Sequence, residues 1–108
     1  YYEKMQDMKL KVIYCKRIWE AKLERARSDE KQLADLRSTV EAQIVKVRFE
    51  ADGDEKLNDT SRLTSYDIKS TKLEQLLSET EERIHQALDV QKVCGKLLAA
   101  IDAKWAVQ

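Results

Sequence analysis

From Leu63 onward, alternate steps of three and four residues land on Leu63, Tyr66, Ser70, Leu73, Leu77, Thr80, Ile84, Ala87, Gln91, Cys94, Leu98, Ile101 and Trp105 without a break. A stripe that repeats every 3.5 residues keeps facing one partner helix along its whole length, whereas a core helix of a globular domain drifts off its stripe after a few turns. This segment is therefore expected to lie along another helix, and the rest of the chain has to supply that helix or leave the place for one.

Composition agrees with an all-α chain. There is no proline, only two glycines stand among 108 residues, and 37% of residues are charged. Too few turn formers are present for a sheet, and the apolar residues are arranged by helical period. The chain opens on Tyr1 and stops at Gln108 within the repeat, which suggests a piece of a larger scaffold protein.

Residues 1–52 read as a first coiled-coil helix with a seam at Met5, Met8, Val12, Cys15, Trp19, Ala26, Leu33, Leu36, Val40 and Val47. Lys22, Asp29 and Gln43 interrupt that seam, while Ile44 and Ala51 carry the apolar stripe one step further round, so weaker supercoiling is expected there. Residues 53–60 read as a turn. Gly53 suits the left-handed position just past a helix, and Asn58, Asp59, Thr60 or Ser61 can cap the next one. Residues 61–108 form the second helix.

A turn of this length folds the second helix back on the first. With helix ends near Asp52 and Thr60, Leu36 is expected opposite Leu76 and Leu77, Val47 opposite Tyr66, Ala26 opposite Ala87 and Lys22 opposite Gln91. Trp19 falls beside Cys94 and Gly95, and the missing side chain of Gly95 is then expected to make room for the indole. The rival arrangement is a helix that kinks at Gly53 and continues in a parallel dimer. Two helices alone need only one seam, yet Ile18, Leu23, Ile44, Leu76, Leu88, Val90 and Leu97 lie beside it. That excess width makes these residues the candidate partner interface, and a dimer of hairpins in a four-helix arrangement, or a hairpin completed by another coiled-coil protein, is the expected assembly.

No chemistry emerges from the motifs. Gly53 and Gly95 are too far apart to build a phosphate loop or a dinucleotide fingerprint. The acidic opening at Asp52 and Asp54 lacks the later ligand and glycine of an EF-hand, where Lys56 and Leu57 stand instead. His85 sits among Glu79, Glu81, Glu82 and Arg83 as a residue of a solvated face, and one histidine with two distant cysteines falls short of a zinc site. Ser28-Asp29-Glu30-Lys31 matches a Ser-x-x-Lys nucleophile pattern whose companion motifs are missing. No catalytic residue, cofactor, metal or small-molecule substrate is expected, and Gln91 reads as a buried amide that fixes register.

The net charge is zero, with 20 basic and 20 acidic residues, but it is segregated: residues 1–27 and 87–108 together carry +5 and residues 28–86 carry −5. Lys9, Lys11, Lys16 and Arg17 lead the basic run, which is interleaved with Tyr14, Ile18 and Trp19. They form a candidate docking surface for microtubules or another acidic polymer, the alternative being a solvated coiled-coil flank. No apolar run approaches the roughly 20 residues needed to cross a bilayer, and two lone cysteines in helical seams fit the cytoplasm, with the nucleus or a cytoskeletal association as variants. The heptad pattern resembles the coiled-coil segments of cytoskeletal and trafficking scaffolds, and no functional residue carries over from so general a likeness.

Overall fold

The computed structural model describes two α-helices, α1 (Tyr2–Lys56, 55 residues) and α2 (Thr60–Trp105, 46 residues). Without proline nothing removes a backbone donor along either helix, and Glu3 in the first turn of α1 and Lys104 in the last turn of α2 suit the signs of the helix dipoles. The chain divides into two compact units. Unit one joins Tyr1–Glu30 to Gln86–Gln108, and unit two is Lys31–His85. Each is an antiparallel helix pair, and unit two holds the reversal, so α1 and α2 pair as a hairpin.

The stripe of α2 is the one its sequence announces. Every position from Leu63 to Trp105 in the three-four alternation is half-buried or buried, with Thr80, Ile84 and Cys94 fully so. Thr80 satisfies its hydroxyl inside the seam by donating to the Leu76 carbonyl at 2.7 Å, so its burial strands no polar atom.

On α1 the structure corrects the seam. One set of positions, Val12, Trp19, Ala26, Leu33, Val40 and Val47, stands as read. The other lies four residues after each of these rather than three: Lys16, Leu23, Glu30, Arg37, Ile44 and Ala51. The cause is apolar content, because the three-step set holds Lys22, Asp29 and Gln43 while the four-step set holds Leu23, Ile44 and Ala51. Burying the second set removes more apolar surface from water. Leu23 and Ile44, expected beside the seam, are therefore part of it, and Ile44 is only 6% exposed. Cys15, Met8 and Leu36 turn outward instead.

The turn also lies later in the chain than its glycine suggests. The backbone is helical through Gly53 to Lys56, so Gly53 occupies a helix interior rather than a left-handed cap. A glycine there costs about 1 kcal/mol relative to alanine and does not by itself stop a helix. Continuing the helix brings Asp54 onto the seam, where its Oδ1 lies 3.8 Å from an Arg62 guanidinium nitrogen. The capping residues Asn58 and Asp59, and the side chains of Thr60 and Ser61, lie outside the described residues.

Moving the turn slides the pairing. In unit one Gln91 reaches the Ala26 carbonyl at 3.3 Å and the Glu30 carboxylate, not Lys22. In unit two Arg48 meets Glu74 at 3.1 Å, and Tyr66 meets Asp54 rather than Val47. The slip amounts to about one heptad, which leaves each stripe facing its partner. Nor does Gly95 make room for Trp19: a Cβ built there would meet nothing within 4 Å.

Candidate interaction surface

Among the described residues the buried apolar side chains are few. Unit one holds Ala26 and Cys94, and unit two holds Val40, Ile44 and Ile84. Many seam positions are instead polar, and they are held by pairing across the helices. Lys16, half-buried, meets Asp102 at 2.8 Å, and the hydrogen bond and charge of that carboxylate raise the lysine pKa above its usual range despite opposition from desolvation. The hydrogen bond to Asp54 likewise holds the Tyr66 hydroxyl above its ordinary pKa, helped by burial. Asp54 is itself buried, and its Oδ2 has no hydrogen-bond partner among the described residues.

The four leading basic residues do not form one face. Lys16 belongs to the seam of unit one. Lys11 pairs along its own helix with Asp7 at 3.4 Å. Lys9 lines a shallow cleft with Val12, Ile13 and Trp105, and Arg17 lies further round the outer surface of α1. The helical period scatters a run that looks dense in sequence, because 100° separates each residue from the next.

The remaining residues of the candidate partner interface, Ile18, Leu76, Leu88, Val90 and Leu97, are all exposed within the single chain. The two flanks of the helix pair in unit one differ in character. One flank carries Lys16 and Asp102, with Glu20, Glu24 and Arg27 beside them and the exposed Leu10, Ile13 and Leu88 on the same helical rows. The opposite flank presents Ile18 from α1 and Val90, Val93 and Leu97 from α2, with Cys15 exposed alongside. Val93, 53% exposed, also precedes a seam residue, Cys94, but lies further round the helix from the stripe than Val90 and Leu97 do. Its signal is its three-residue step from Val90 and four-residue step to Leu97.

The charges follow the same division. The flank with Ile18, Val90, Val93 and Leu97 carries Lys4, Lys11, Lys22, Arg25 and Lys104 against Asp29 and against Asp7 at its border, which pairs with Lys11, whereas the opposite flank sets Lys16, Arg17, Arg27 and Lys92 against Glu3, Glu20, Glu24 and Asp102. Lys22 is held over the Trp19 ring at 4.5 Å, at the border between seam and flank.

Unit two has an open cleft of about 430 Å³ whose lining includes Lys46, Glu50, Lys69 and Lys72 beside Val47 and Leu73. His85 is exposed. No group of three or more metal-ligating side chains occurs among the described residues, and no helix described is long and apolar enough to cross a membrane. The chain matches no family model, and no curated protein and no solved structure is significantly similar to it.

Proposed function

We propose that the chain is a structural coiled-coil interaction module of a larger cytoplasmic scaffold, and that it assembles with further helices, as a homodimer of hairpins or with another coiled-coil protein. One observation carries the reading: pairing α1 with α2 leaves Ile18, Leu76, Leu88, Val90, Val93 and Leu97 exposed. The accessible surface of 8731 Å² exceeds by about 2,500 Å² what scaling gives for a monomeric protein of 12.6 kDa. That excess is larger than the roughly 800 Å² each partner contributes to a standard interface. Covering the exposed apolar residues in a four-helix arrangement would take part of that excess out of water.

The test is mass in solution. Light scattering across a tenfold dilution is expected to give twice the chain mass, or the mass of a complex once the partner is added. Replacing Leu76 and Leu97 by glutamate is expected to dissolve the assembly before it unfolds the helix pair, since both lie outside the seam. A well-folded chain that stays monomeric and recruits nothing removes the reading.

Charge segregation favours a second reading, in which the basic end docks on a microtubule or another acidic polymer. Replacing Lys9, Lys11 and Arg17 by glutamate should then abolish pelleting with the polymer while leaving helicity unchanged. Absence of binding at low salt ends that reading.

A further inference from the structure

Both flanks of unit one expose apolar side chains, but the one with Ile18, Val90, Val93 and Leu97 is also basic, and the combination specifies what can cover it. We propose that this flank receives an acidic amphipathic helix from another protein, with the partner's apolar stripe on Ile18, Val90, Val93 and Leu97 and its carboxylates toward Lys11, Lys22, Arg25 and Lys104. The proposal rests on the assembly reading and names the chemistry of the partner.

Three occupants compete for such a surface, and the charges decide among them. A second copy docked through the same flank would set five cations against the same five, with only Asp29 and the bordering Asp7 to offset them, and like charges juxtaposed at an interface oppose association. A bare acidic polymer satisfies the cations but leaves four large apolar side chains in water. An acidic helix with an apolar stripe answers both demands: the stripe lies along the flank as a helix lies in a groove, and the carboxylates flank it on the sides where Lys22, Arg25 and Lys104 stand. The opposite flank of unit one also exposes Leu10, Ile13 and Leu88, but its four cations are balanced by four anions, so its charge selects no acidic partner. Direction of approach is helped as well, since complementary charge speeds encounter more than it deepens affinity.

Cys15 reports on the site. It is exposed on this flank, whereas Cys94 is buried at 1% exposure, so alkylation of the folded chain should mark Cys15 first.

The experiment uses the full chain and three probes: a synthetic amphipathic helical peptide with a leucine stripe and glutamate flanks, the same peptide with lysine flanks, and polyglutamate. The glutamate-flanked peptide is expected to bind at least tenfold more tightly than either of the others and to slow Cys15 alkylation. Lys22→Glu with Arg25→Glu should weaken it at least tenfold, and Arg17→Glu with Arg27→Glu on the opposite flank should not. Val93→Glu with Leu97→Glu should abolish binding with helicity retained. If that pair unfolds the chain, the Lys22 and Arg25 substitutions still decide, because both side chains are exposed.

Equal binding of the two peptides, or charge reversal at Lys22 and Arg25 without effect, overturns the proposal. Polyglutamate binding as tightly as the acidic peptide assigns the flank to an acidic polymer instead. A dimer that forms without peptide and dissolves on Val93→Glu with Leu97→Glu assigns it to a second copy, in which case the assembly reading stands and this one falls. A monomer that ignores all three probes removes both.

Discussion

Gln91 of α2 lies across from Glu30 of α1 and donates its side-chain amide to that carboxylate, with the Ala26 carbonyl as a second acceptor at 3.3 Å. Both residues occupy seam positions that would otherwise be apolar. A polar pair in a coiled-coil seam contributes little net stability, because desolvation offsets most of the interaction, but it disfavours registers that leave either group unpaired.

The consequence is testable by a double-mutant cycle. Gln91→Leu alone should destabilise the chain by about 1–3 kcal/mol, since it leaves a half-buried carboxylate without its charge-assisted donor. Adding Glu30→Leu should recover that loss while permitting more than one pairing register, visible as doubled spin-label distances within unit one. A single sharp distance in the double variant would show that the pair does not set register.

Gly95 gives a second prediction. With nothing within 4 Å of the position a Cβ would take, Gly95→Ala should stabilise the isolated chain by about 0.5–1 kcal/mol through helix propensity. Destabilisation on chemical denaturation would mean that the site is occupied in solution.

The corrected α1 seam makes a third. Ile44→Ala empties a buried site and should cost about 2–5 kcal/mol, whereas Leu36→Ala, 40% exposed, should cost well under that. Comparable losses in urea denaturation would restore the three-step seam.

Why α2 was readable and α1 was not follows from the residues themselves. In α2 one alternation runs unbroken from Leu63 to Trp105 with an apolar or small residue at nearly every step, so period alone fixes the face even though Leu76, Leu88, Val90, Val93 and Leu97 lie off it. In α1 two candidate stripes share Val12, Trp19, Ala26, Leu33, Val40 and Val47, and each remaining set is part polar. Lys22, Asp29 and Gln43 stand in one, Lys16, Glu30 and Arg37 in the other. Only the burial of Leu23 and Ile44 against α2 separates them. Pairing register was hidden for a different reason: a slip of one heptad keeps every stripe facing its partner, so matching side-chain classes cannot detect it. What resolves it are single contacts such as Arg48 with Glu74, which no local pattern encodes. Gly53 misled because a glycine permits a helix end without requiring one. On the candidate surface, Ile18, Val90 and Leu97 were legible from apolar width, but the meaning of the basic run was not. Its residues are neighbours in sequence and occupy different faces of the folded pair.

Alkaline pH offers the last prediction, and its sign follows from proton linkage. The Tyr66 pKa is raised by its hydrogen bond to Asp54, and the Lys16 pKa is raised by Asp102. In each case the folded chain holds the proton more tightly than the unfolded chain does. Stability from both contacts is therefore fully present below their unfolded values, about 10 for tyrosine and about 10.4 for lysine, and is lost as pH rises through the raised folded values. Thermal melts of the wild type should fall more steeply above pH ~10 than those of a Tyr66→Phe, Lys16→Met double variant, which lacks both protons. The variant should start from a lower melting temperature near neutrality, because Asp54 and Asp102 have each lost a donor, and the two curves should converge as pH rises. Ultraviolet titration of tyrosinate gives an independent check, since Phe at position 66 should delete a late-titrating component. Parallel curves across the alkaline range would show that neither contact persists in solution, and with them would go the pairing of Lys16 with Asp102 and the seating of Tyr66 on Asp54.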